Sequence, residues 1–130
     1  MLNPSTADAF HNDPTIRRCI GFARAWGYDG IEVVNLFSWR ATNPKEVLAV
    51  LADAANSQTD KHIFEVGLRC EMTVAAWGAT RWAEERAAEV YRMLRHTRTQ
   101  VTCVGRTKSG APRHPLYVKA NTMPTSWAPR

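Results

Sequence analysis

Apolar residues along this chain switch repeatedly between two periods, and the switches mark out the expected elements. Asp13-Pro14 pairs a capping carboxylate with a proline suited to the first helical position. Ile16, Cys19, Ile20, Ala23 and Trp26 then recur at helical spacing until Gly27, a natural stop. Gly30 to Leu36 (G-I-E-V-V-N-L) is rich in β-branched residues and predicts a buried strand, with a loop over Phe37 to Asn43. Asn43-Pro44 opens a short helix to about Ala52. Ser57 to Asp60 opens another that runs to about Cys70. Met72 to Trp77 predicts a second strand ended by Gly78. A helix from about Thr80 to His96 carries Trp82, Ala83, Ala87, Val90, Tyr91 and Leu94 on its apolar side. Glu84, Glu85, Arg86, Glu89 and Arg92 read as its solvated face. Gln100 to Gly105 predicts a third strand, Arg106 to Pro115 a basic Gly/Pro loop, and Leu116 to Val118 a short fourth strand.

Strands separated by helices predict a parallel sheet with helices on both faces, a three-layer α/β/α sandwich. The expected organisation is a single α/β domain over residues 1–120 and an irregular tail from Asn121 to Arg130. In such sheets the ligand sits beyond the carboxyl ends of the strands, which singles out the loops after Leu36, Trp77 and Gly105. Met1-Leu2 followed by Asn-Pro-Ser-Thr reads as the end of a strand and its exit loop. The strand that would feed that loop is therefore expected to be truncated in this chain.

Composition narrows the classes. At 130 residues, 45% hydrophobic and 22% charged, the chain has ordinary globular usage and the length of one domain. Its apolar runs fall far short of the ~20 residues a membrane span needs, and no secretory signal is visible, so a cytoplasmic protein with no membrane partner is expected. Seventeen Lys and Arg against twelve Asp and Glu leave +5, which suits a polyanionic partner such as nucleic acid or a nucleotide. Cys19, Cys70 and Cys103 are odd in number and widely spaced, without zinc-site pairing, and read as small core residues. No metal or other cofactor is expected. The G-x-x-x-x-G-K-[ST], G-x-G-x-x-G and G-x-S-x-G signatures are all absent, against a nucleoside triphosphatase, a nicotinamide enzyme or a serine acyl-transferase.

Three segments carry candidate chemistry. The opening loop L-N-P-S-T-A-D-A-F-H-N-D-P holds Asn3, Ser5, Thr6, Asp8 and His11. It reads either as a capped turn or as a site in which Asn3 orients a water, Asp8 acts as base and Phe10 stacks on a planar ligand. Asn35, near the end of its strand, either ties down the next loop or reads a ligand edge with one donor and one acceptor; Arg40 follows close behind. In the third segment Arg106, Lys108 and Arg113 suit phosphate contacts, and His114 suits donation to a developing anion, against the alternative of a solvated basic loop. Trp39, Trp77 and Trp82 read as core or rim aromatics, and His62 and His96 as surface residues.

The motifs M-L-N-P-S-T-A-D, D-P-T-I-R-R-C-I-G-F-A-R-A-W-G-Y, V-V-N-L-F-S-W-R-A-T-N-P, A-A-W-G and G-R-T-K-S-G-A-P-R-H-P-L-Y-V resemble the bacterial and phage domain-of-unknown-function family sixteen forty-three over nearly the whole chain. Their order is similar, more distantly, to that of the uracil-DNA glycosylase superfamily. That resemblance implies a small α/β/α fold with a four-stranded parallel sheet. By the same resemblance Asn3 in L-N-P-S positions the hydrolytic water, Asn35 in V-V-N-L reads a flipped base, and His114 in R-H-P-L stabilises the departing base anion. Ser5-Thr6 depart from the Gly or acidic residue often found there, the spacing after Asn3 differs, and the final loop is longer and more basic. The function implied is an N-glycosidic hydrolase acting on a nucleobase or nucleotide. The alternatives are a non-catalytic nucleic-acid or nucleotide-binding module and a hydrolase of small nucleotides.

Overall fold

The computed structural model describes residues 1–2, 13–38 and 57–130. Helix α1 (Pro14–Ala25) begins as its sequence dictates: the Asp13 carboxylate accepts from the Thr15 N–H at 2.7 Å and the Ile16 N–H at 3.3 Å. It ends in a left-handed cap at Gly27 (φ 85°), where the Tyr28 N–H returns to the Ala23 carbonyl at 2.8 Å. Helix α2 (Ser57–Arg69) buries Ile63, Val66 and Gly67. Helix α3 (Glu84–Leu94) follows a 3₁₀ turn over Arg81–Ala83, so the helix expected from Thr80 is tightened through its first turn. The helix expected over Asn43 to Ala52 lies outside the described residues.

Strand β1 (Met72–Ala75) runs parallel to β2 (Gln100–Cys103), with Met72 opposite Gln100 and Ala75 opposite Cys103. Strand β3 (Thr125–Ser126) pairs antiparallel with the other edge of β2, in the order β1-β2-β3. The described sheet is therefore mixed, whereas an all-parallel one was expected. The tail expected to be irregular supplies this edge strand. It is fixed by the Trp127 N–H to the Val101 carbonyl (3.0 Å), the Trp127 indole to the Gly110 carbonyl (3.2 Å) and the Trp26 indole to the Thr122 carbonyl (3.2 Å).

Two further expectations are corrected. Leu116 to Val118 is not a strand: a 3₁₀ turn spans Pro115–Tyr117, because Pro115 has no N–H for a ladder and His114 caps the turn. Gly30 to Leu36 is not assigned as a strand either, although its end is laddered. The Met1 amine donates to the Val34 carbonyl (3.0 Å) and the Leu36 N–H donates to the Met1 carbonyl (2.9 Å), the pattern of a parallel pair that sets Met1 opposite Asn35. Upstream of this, residues 30–33 make no backbone hydrogen bond to any described residue. β-Propensity alone does not make a strand; a partner does.

The core gathers Leu36, Phe37, Ile63, Ala75, Ala87, Val90, Leu94, Cys103 and Trp127. Trp127 meets Trp77 and Tyr91 edge-on, at 5.0 and 5.7 Å between ring centroids. Arg86, read from its charge as solvated, is buried at 7% exposure. No helix among the described residues is long and apolar enough to cross a membrane.

Candidate functional site at the carboxyl end of the sheet

Strand β1 leads through Trp77 into Gly78 and β2 through Val104 into Gly105, and both glycines have positive φ (81° and 105°). These turns let the following loop dock on the strand ends. The Gly78 N–H donates to the Pro112 carbonyl (3.0 Å) and the Arg113 N–H to the Gly105 carbonyl (2.9 Å). The loop between folds back on itself through the Thr107 N–H to the Ala111 carbonyl (2.8 Å) and the pairing of Arg106 with Pro112. This basic segment is a pinned hairpin.

Its cations divide accordingly. Arg106 donates Nη1 to the Ala128 carbonyl (3.1 Å) and Nη2 to the Ser126 carbonyl (3.2 Å), and Arg113 donates Nε to the Arg106 carbonyl (3.2 Å). Lys108 is exposed and makes no ion pair with a described residue. The Arg113 guanidinium is exposed and keeps its Nη groups for a ligand.

The hairpin delivers His114 to the end of the sheet, where a Cβ on Gly78 would lie 3.7 Å from the His114 Cβ. His114 is half-buried, and its Nδ1 accepts from the Leu116 N–H at 3.3 Å. With Nδ1 an acceptor, the ring proton of the neutral imidazole sits on Nε2. Burial, seconded by the Met1 ammonium, pushes the His114 pKa below its ordinary value, while the Asp13 carboxylate pulls the other way. His114 is thus a neutral hydrogen-bond donor in electrostatic reach of both the chain start and the α1 cap.

Asn35 is half-buried beside Met1, on the wall of a cavity of about 810 Å³ that also includes Met1 and Pro115. The structure therefore gathers Asn35, Met1 and the His114–Pro115 corner at one end of the molecule. Asn3, Ser5, Asp8, Phe10 and Arg40 lie outside the described residues. Next to His114, Leu116 and Tyr117 project at 40% and 77% exposure. Leu116 borders a second hollow with Arg17 and Arg18 of α1.

Arg86 is the residue that reasoning from sequence missed. Its Nε donates to the Leu36 carbonyl (2.9 Å), its Nη2 pairs with Asp60 (2.5 Å) and its Nη1 reaches Glu89 (3.4 Å). It anchors α2 and α3 to the backbone immediately after Asn35. The signal was its spacing: Arg86 is three residues after Ala83 and four before Val90, on the stripe that the apolar residues define.

A family model described as "Protein of unknown function (DUF1643)" matches residues 1–116. No curated protein and no solved structure matches.

Proposed function

The chain belongs to the DUF1643 family, and on that premise we propose that it acts on a nucleobase or nucleotide as an N-glycosidic hydrolase, on a three-layer α/β/α scaffold like that of the uracil-DNA glycosylases. The observation that carries this reading is His114: neutral, half-buried at the carboxyl end of the sheet, with Nδ1 taken by the Leu116 N–H and Nε2–H left to donate. A donor of this kind lowers the cost of negative charge developing on a leaving base, without competing for the proton of the attacking water.

In the proposed reaction the C–N glycosidic bond breaks and its electron pair leaves with the base, where the Nε2–H of His114 meets it. Water held by Asn3 adds to the sugar carbon and gives its proton to Asp8 or to solvent. Asn35 reads the edge of the base, with Phe10, Ser5 and Arg40 completing its surroundings. Lys108 and Arg113 take phosphates; Arg106 braces the hairpin and adds to the local positive field. Leu116 and Tyr117, projecting beside Arg17 and Arg18, suit an apolar tip pressed against a nucleic acid whose backbone the arginines hold. Asn3→Ala and His114→Ala are expected to fold and to lose base release. Wild-type rates in both variants would overturn the mechanism.

The same apolar tip with flanking cations also favours a second reading, a nucleic-acid-binding module without catalysis. It predicts salt-dependent affinity for oligonucleotides and no product at any protein concentration.

A further inference from the structure

The cavity of about 810 Å³ has the form of a slot between two backbone edges. One edge is the extended segment 30–34. Because the Val34 carbonyl and the Leu36 N–H are the groups that face Met1, alternation turns Glu32 and Val34 to the same side, and neither of their N–H groups has a partner among the described residues. The other edge is β1. The Gln100 N–H bonds the Glu71 carbonyl, so Glu71, Thr73 and Ala75 face β2 while Met72 and Val74 turn their N–H and C=O toward the slot. β1 has no strand on that side among the described residues. Side chains close the slot above and below: Phe22 and Ala23 from α1, and Ile63, Val66, Val90 and Leu94 from α2 and α3. A bidentate ion pair of Arg69 with Glu32 (2.9 and 2.8 Å) closes its far end.

We propose that this slot is the seat of one further β-strand, apolar on both faces, bonded to the Met1 nitrogen and running parallel between residues 31–34 and β1. Three observations select this occupant. Met1 stands opposite Asn35 in parallel register, so the fourth residue before it stands opposite Ile31, and about four residues, or ~13 Å of strand, fill the seat. The walls are apolar on both sides, the environment in which parallel strands read as continuous Val/Ile/Leu runs. The Met1 amine lies at the inner end of the slot, hydrogen-bonded to the Val34 carbonyl. A peptide N–H makes that bond without burying a charge, whereas a strand from a second copy would end against an ammonium group.

The test compares three forms of the chain, each extended before Met1 by the same soluble leader. One carries Val-Ile-Phe-Ile next to Met1, one Gly-Ser-Gly-Ser, and one Val-Ile-Pro-Ile, whose proline removes the N–H that would bond the Glu32 carbonyl. The apolar strand is expected to raise Tm by several degrees over both others. It is also expected to slow amide exchange at Val34 and Val74 at least tenfold. Equal Tm and unchanged exchange across the three forms would overturn the proposal. So would a chain of 130 residues whose Val34 and Val74 amides are already protected in a concentration-dependent dimer, which would give the seat to a second copy.

Discussion

Arg86 Nε donates to the Leu36 carbonyl at 2.9 Å, so a charged side chain from α3 holds the backbone next to Asn35. The Arg86 side chain is 8% exposed and its partner Asp60 44% exposed, so the two ends of this interaction differ in worth. Arg86→Met strands a buried carbonyl and is expected to cost about 1–3 kcal/mol. Asp60→Asn removes a half-solvated charge and keeps a hydrogen-bond acceptor, and is expected to cost less than about 1 kcal/mol. Denaturant unfolding of both variants checks the order. A larger loss in Asp60→Asn would mean that the ion pair, rather than the carbonyl contact, stabilises this corner.

Asp13 has two roles that substitution can separate. As the α1 cap it is expected to cost about 1 kcal/mol on Asp13→Ala, and much less on Asp13→Asn, which keeps a capping oxygen. As a charge it opposes the lowering of the His114 pKa, so both variants are expected to move the His114 titration further down, read by the imidazole proton shifts against pH. An unmoved titration in Asp13→Asn would remove the electrostatic link between the cap and His114.

Acid is expected to weaken the fold well before any carboxylate is protonated. Burial lowers the Met1 amine from 8.0 to about 6, and the His114 pKa is also below its ordinary 6.5. Both groups bind protons less readily in the folded chain than in the unfolded one. As the pH falls through 8 the unfolded chain takes up more protons, and stability drops until the folded amine titrates near 6. His114 adds to the loss below 6.5. The amine accounts for roughly 2–3 kcal/mol of this, and capping it with a peptide bond is expected to abolish that part. Tm measured from pH 8.5 to 5.5 checks the slope; a flat profile in the uncapped chain would contradict it.

Trp127, 4% exposed and packed on Trp77 and Tyr91, makes the carboxyl-terminal tail part of the core. Trp127→Ala is expected to cost about 3–5 kcal/mol. It is also expected to loosen the 106–113 hairpin, whose Gly110 carbonyl the indole holds. Thermal unfolding with amide exchange at Gly110 reads both effects.

What the sequence made legible follows from how local each signal is. Asp13-Pro14 and Gly27 bound α1 because a cap and a left-handed stop act within one turn. Val74 and Val101 sit in strands because β-branched runs there meet a partner. Ile31 and Val33 have the same propensity without a partner, and no strand forms. β3 was invisible, since two residues become a strand only by lying against Thr102 and Cys103. Arg86 was misread because its charge was weighed above its place on the helical stripe. At the site, the motif order brings Asn35 and His114 to one end of the molecule. Asn3, Ser5, Asp8, Phe10 and Arg40 fall outside the described residues, so their roles rest on sequence alone.

The most direct test of the proposed chemistry is product analysis. The chain, with an apolar strand seated before Met1, would be incubated with oligonucleotides bearing uracil, mismatched and damaged bases and with free nucleotides, and released base detected by mass spectrometry. Free base, appearing with wild-type protein and absent with His114→Ala, is the predicted result. No free base from any substrate would contradict the hydrolase reading, and salt-sensitive oligonucleotide binding in the same samples would give the site to recognition without catalysis.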